Sequence, residues 1–161
     1  MKNRADMHAD FARRFARDGL NGPATPCAPS DLDRIEAELD CSLPLAYRYF
    51  LTSFGPLFVP PVWDAIVELE LNVHPLREFL NPTEVVQATR SYWAAGMPND
   101  LIGIAGDFMG NLFGFIRVAK TNILPDDLPV VLFDHDYVCV TPVADSFDDW
   151  IAWFVSHLPT A

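Results

Sequence analysis

Around Phe133 the chain reads Phe-Asp-His-Asp-Tyr, which places His135 between Asp134 and Asp136. A histidine beside carboxylates is the raw material of an oriented general base or a metal site, because a carboxylate fixes the imidazole tautomer. Neighbours on an extended chain point to opposite sides, so the two aspartates are not expected to share a face with His135. A zinc site needs three or four ligands, and His8, His74 and His157 lie in segments with no matching pattern. Short polar residues that tolerate unusual backbone angles are what a tight turn requires, and a turn is the favoured reading.

Other candidates for chemistry give way to structural readings. Ser146 lacks a G-x-S-x-G surround, and with Asp149 three residues later it reads as a helix cap. The stretch Gly106 to Gly110 lacks the phosphate-loop pattern, and Asp107 would repel a phosphate. Cys27, Cys41 and Cys139 are odd in number and show no C-x-x-C spacing, so they read as reduced, buried thiols. No catalytic residue, metal or cofactor is expected.

With 161 residues, half of them apolar, the chain suits one domain with one core. No apolar run approaches the length of a membrane span, and the charged start MKNRADMHADFARRF is unlike a secretory signal, which predicts a cytoplasmic protein. The net charge is −11; residues 1–18 carry +2, leaving −13 on the rest. Such a field repels nucleic acid and anionic membrane and speeds encounter with a basic partner.

The elements that must position these residues follow from periodicity. Met7, Phe11 and Phe15 recur every four residues, so residues 5–18 predict an amphipathic helix ended by Gly19, followed by a Gly/Pro-rich connector over residues 19–29. Ser30 and Asp33 look like the cap of a second helix with Leu32, Ile35 and Leu39 inward and Glu36, Glu38 and Asp40 outward. A third helix follows Leu43-Pro44, buries Tyr47, Phe50, Leu51 and Phe54, and ends at Gly55-Pro56. PLFVPPVW reads as a loop that displays Phe58 and Trp63.

In residues 65–73, alternation of Val67, Leu69, Leu71 and Val73 with Glu68, Glu70 and Asn72 predicts a strand with one wet face. A helix is expected over about Pro82 to Ala95, then a hairpin around Gly-Asp-Phe-Met-Gly-Asn. PVVLF and YVCVT read as two central strands separated only by Asp-His-Asp, and Phe147, Trp150, Ile151, Phe154 and Leu158 form the apolar face of a closing helix, with Trp153 near its edge. This order predicts an α+β fold, a mostly antiparallel sheet flanked by helices.

The stretch from Ser30 to Leu51 resembles the opening of the SUKH superfamily, the Smi/Knr-like domain: a helix with a mid-helix Glu, then Leu-Pro, then a helix carrying Tyr and Phe-Leu. Ile104–Phe115 resembles that family's central Gly-Asp region, Val131–Asp136 its next strand and turn, and Val143–Ile151 its closing Ala-x-Ser-Phe helix start. Departures are Gly55-Pro56 in place of paired glycines, Asn111 where an acid is expected, and a short turn after Phe133. The resemblance covers residues 26–158 and implies a domain over 26–161 preceded by a helix and connector over 1–25.

It also implies function by binding. Many bacterial members are cytoplasmic immunity proteins that neutralise a toxin, often a nuclease, and some fungal members are scaffolds or regulators. A basic toxin would suit the acidic body, met by Glu68, Glu70, Asp107, Asp134 and Asp136 and anchored by Trp63 and Phe58. The alternatives are a scaffold that binds a cellular protein, or a small hydrolase using His135.

Overall fold

The computed structural model describes residues 2–160. Among these residues, six helices surround a five-stranded antiparallel sheet. In chain order these are α1 (Arg4–Phe15), α2 (Pro29–Leu39), α3 (Leu45–Phe54), α4 (Pro60–Glu68), β1 (Glu78–Phe79), α5 (Pro82–Ala94), β2 (Leu101–Gly106), β3 (Leu112–Ile116), β4 (Val130–Asp134), β5 (Cys139–Ala144) and α6 (Phe147–His157). The sheet order is β1-β2-β3-β4-β5. The expected α+β architecture is present.

The helix α5 packs on β2, where Trp93 Nε1 donates to the Leu101 carbonyl and the Gly103 amide to Thr89 Oγ1. The helix α6 covers the other face, with Trp150 against Phe113 and Phe147 against Phe115. The hairpin register pairs Leu112 with Gly106 and Phe133, and Phe113 with Ala105 and Leu132. Alternate residues of β3 therefore serve opposite faces.

The helix α1 docks into the same core. Met7, Phe11 and Phe15 are buried as the spacing required, Phe11 packs on Phe50, Phe79 and Phe154, and Arg14 donates to the Val155 and Leu158 carbonyls. His8 is fully buried between Tyr49, Phe50 and Phe147, with Nε2 2.8 Å from Asp148. Asp148 also takes the Arg4 guanidinium. Burial holds the imidazole below its ordinary pKa, with Arg4 adding to that and Asp148 opposing it.

Several expectations are corrected. Residues 65–73 hold no strand. Pro60 and Pro61 occupy the first turn of α4, where a missing N–H costs nothing, and Val62 and Ile66 face the core at helical spacing. The apparent alternation consists largely of exposed apolar residues, Val67, Leu69 and Val73, and Glu70 lies in a turn at φ +52°. The loop expected over 56–63 is thus partly helical.

The helix α2 starts at Pro29, so Asp31, not Asp33, reaches back to the chain, accepting from the Ala28 amide. Asp33 instead pairs with Arg48. Glu36 is buried, not outward: it accepts from the Leu43 amide at 2.7 Å and from Arg48 at 2.8 Å, pinning the elbow between α2 and α3. Gly55 ends α3 at φ +81°, and a Cβ there would lie 2.2 Å from the Thr25 carbonyl oxygen, so the connector packs where only glycine fits.

The strand β5 is an edge strand, not a central one, as Pro142 within it requires. Tyr137 and Val138 belong to the preceding turn, which is therefore longer than Asp-His-Asp, and Cys139 is exposed. Of the three thiols Cys27 is half-buried, and Cys41 is buried and pushed up to about 12 by burial.

Truncating Phe11 to alanine should lower stability by about 3–5 kcal/mol in a denaturant titration, because the cavity would open among packed rings. Stability should also fall as pH drops below 6.5, the ordinary histidine pKa, since the unfolded chain binds the proton that buried His8 resists. Unfolding midpoints between pH 5 and 8 for the wild type and His8→Asn would check this; the variant's curve should be flatter.

Candidate partner-binding surface

The strand ends place two turns side by side. The β2–β3 turn is Asp107 to Asn111, and the β4–β5 turn is His135 to Val138. In the first, Asp107 Oδ1 accepts from the amides of Met109 at 2.7 Å and Asn111 at 3.0 Å, while Oδ2 accepts from Asn111 Nδ2. Gly110 follows at φ +86°, its carbonyl taking the Tyr92 hydroxyl. Burial and the Asp107 charge push the Tyr92 phenol up, which keeps it a donor.

In the second turn, Asp134 Oδ1 accepts from the Asp136 and Tyr137 amides. Asn111 Oδ1 links the two turns, lying 3.2 Å from the His135 amide and 2.9 Å from its Nδ1. The other ring nitrogen, Nε2, is 3.3 Å from Asp136. The turn is not extended, so Asp136 does reach His135, contrary to the expectation for a strand. Both ring nitrogens lie against neighbouring oxygens, which holds the imidazole to the turn. Among the described residues no group of three or more His, Cys, Asp or Glu side chains could hold a metal ion.

Against the first turn lies α4. Trp63 meets Phe108 edge to face at 4.6 Å, and the Arg77 guanidinium sits 4.4 Å over the Phe108 ring and 5.9 Å from that of Phe58. Phe108 is 46% exposed and Met109 63%. Val67, one helical turn beyond Trp63, and Leu69 extend this exposed apolar edge.

The structure thus brings together Phe58, Trp63 and Asp107 on one side and joins them through Asn111 to the turn holding Asp134 and Asp136. Glu68 and Glu70 stand apart at the end of α4, exposed and with no hydrogen bond to this cluster. Sequence reasoning missed Phe108, Met109, Tyr137 and Arg77. The first two were legible in principle: an apolar pair between Gly-Asp and Gly-Asn at a hairpin tip cannot be buried by its own sheet.

A family model covers residues 26–153. The chain belongs to the SMI1 / KNR4 family (SUKH-1). No curated protein matches it. The match begins at Pro26, so α1, docked on α6, lies outside it, and the mid-helix glutamate of the family-like opening is Glu36, the buried pin of the α2–α3 elbow. Among the described residues no helix is long and apolar enough to cross a membrane.

Because Asp107 holds the tip through three bonds, Asp107→Ala should speed amide exchange at Met109 and Asn111 by about tenfold, the effect of losing about 1.4 kcal/mol of local hydrogen bonding. Site-resolved exchange by NMR checks this, with β3 and β4 amides expected to stay unchanged.

Proposed function

We propose that this protein is a non-catalytic, cytoplasmic protein-binding domain, an immunity protein that neutralises a cognate basic toxin, such as a nuclease, by direct binding. The observation that carries this reading is the hairpin tip of exposed Phe108 and Met109, packed on half-buried Trp63, with Asp107 at its base and exposed Asp136 on the neighbouring turn, on a chain of net charge −11. The SUKH family is known broadly in toxin immunity and is generally non-catalytic, which supports the same reading.

The acids and the rings divide the work. Exposed carboxylates such as Asp136 raise the encounter rate with a positive surface, an effect that salt screens. Large rings and Met109 then lose water against the partner and slow its escape. No chemistry is asked of His135 in this account.

The test uses the partner captured with this protein from its native cell, with association and dissociation followed by biolayer interferometry at several salt concentrations. Phe108→Ala and Trp63→Ala should raise the dissociation rate about thirtyfold, the size of a 2 kcal/mol hot spot. Asp136→Asn should slow association and flatten its salt dependence. Binding indifferent to salt and to all three substitutions would refute the proposal.

A further inference from the structure

A second feature lies at the far end of the edge strand. Between β5, α6 and the turn at residues 72–74 opens a cavity of about 450 Å³, within the range of ligand sites. Its floor is apolar, built from Trp150 and Phe154, both buried, with half-buried Trp153 beside them. Its rim carries two carboxylates, Asp145 and Asp149.

These carboxylates differ from their neighbour. Asp148 is engaged by Arg4 and His8, whereas Asp145 and Asp149 make no ion pair among the described residues. Asp149 precedes Trp153 by four residues, so the two lie on one face of α6, a turn apart. His157, a further turn on, stacks on Trp153 at 4.6 Å and 10°. His157 thus covers one face of the indole, and Trp153 and Asp149 both line the cavity.

An indole face next to an unpaired carboxylate is the environment a guanidinium fits best: the planar cation stacks on the ring while its N–H fork meets the acid. We propose that this cavity takes an arginine side chain of a partner polypeptide. The occupant is a chain segment because the cavity opens along β5, which pairs with β4 on one side only and leaves the other edge free. Its exposed rim residues, His74, Pro142 and Asp145, leave the entrance wide to such a segment.

The site is separate from the aromatic tip. Four residues of extended chain, about 13 Å, divide Cys139 at the end of the second turn from Val143 at the cavity, so one partner could engage both. The inference does not depend on that partner being a toxin, and its test needs none.

The full-length protein would be titrated with a blocked arginine tripeptide, acetyl-Gly-Arg-Gly-amide, while the indole N–H resonances of Trp150 and Trp153 are followed by NMR. The citrulline tripeptide, equal in shape and uncharged, serves as control, and agmatine tests whether a free metabolite is preferred. Saturable shifts with the arginine peptide, absent with citrulline and weakened about tenfold by Asp149→Asn, are expected. Trp153→Leu, folded as judged by the unchanged hairpin resonances, should weaken binding as well. Equal response to citrulline, affinity unchanged in Asp145→Asn and Asp149→Asn, or binding of agmatine with exclusion of the peptide would each overturn the proposal.

Discussion

The rest of the molecule hangs on how the first turn of α6 is held. A helix start leaves amides without partners, and burying them unpaired would be costly. Here Asp127 accepts from the Phe147 and Asp148 amides, and Ser146 Oγ from that of Asp149. That permits Phe147 to be fully buried at the helix start, against His8, Tyr47, Phe50, Phe79, Phe115 and Trp150. Rings from α1, α3, β1, β3 and α6 therefore share one contact. The same turn sends Asp148 to Arg4 and His8, which locks α1 onto the domain, and leaves Asp149 facing outward beside Trp153.

At the opposite end of the sheet, polar residues do a different job. Asp107, Asn111 and Asp134 spend their oxygens on turn amides, and that rigidity lets apolar side chains stand in solvent instead of folding back. An exposed Phe or Met on a mobile loop would lose entropy on binding; on a pinned turn much of that loss is already made. The histidine that looks most like chemistry is part of the same pinning. A Cβ on Gly110 would lie 3.0 Å from its ring, so turn and imidazole are fitted to each other.

Much of this was legible in the sequence because local and tertiary preferences agree. Met7, Phe11 and Phe15 bury the stripe their spacing draws, Gly55 and Ser146 end and begin helices, and Asp107 to Asn111 makes the expected turn. The misread segment, residues 65–73, failed for a physical reason. Its period-two pattern came from apolar residues left exposed, whereas the deciding signal lay upstream in Pro60-Pro61 and in the pair Val62 and Ile66. Glu36 was misplaced because its partners, the Leu43 amide and Arg48, are brought to it only by the elbow. Likewise no periodicity could show that Trp63 would meet Phe108, a contact between a helix and a turn some 45 residues apart.

Among these features the claim that matters most is that an exposed, pinned hairpin tip recognises another protein. A structure of the complex with the native partner tests it most directly. The account predicts Phe108 and Met109 buried in the interface, with Asp134 and Asp136 at its rim facing basic residues. A complex that leaves the tip in solvent, or one that seats a reacting group against His135, would contradict it.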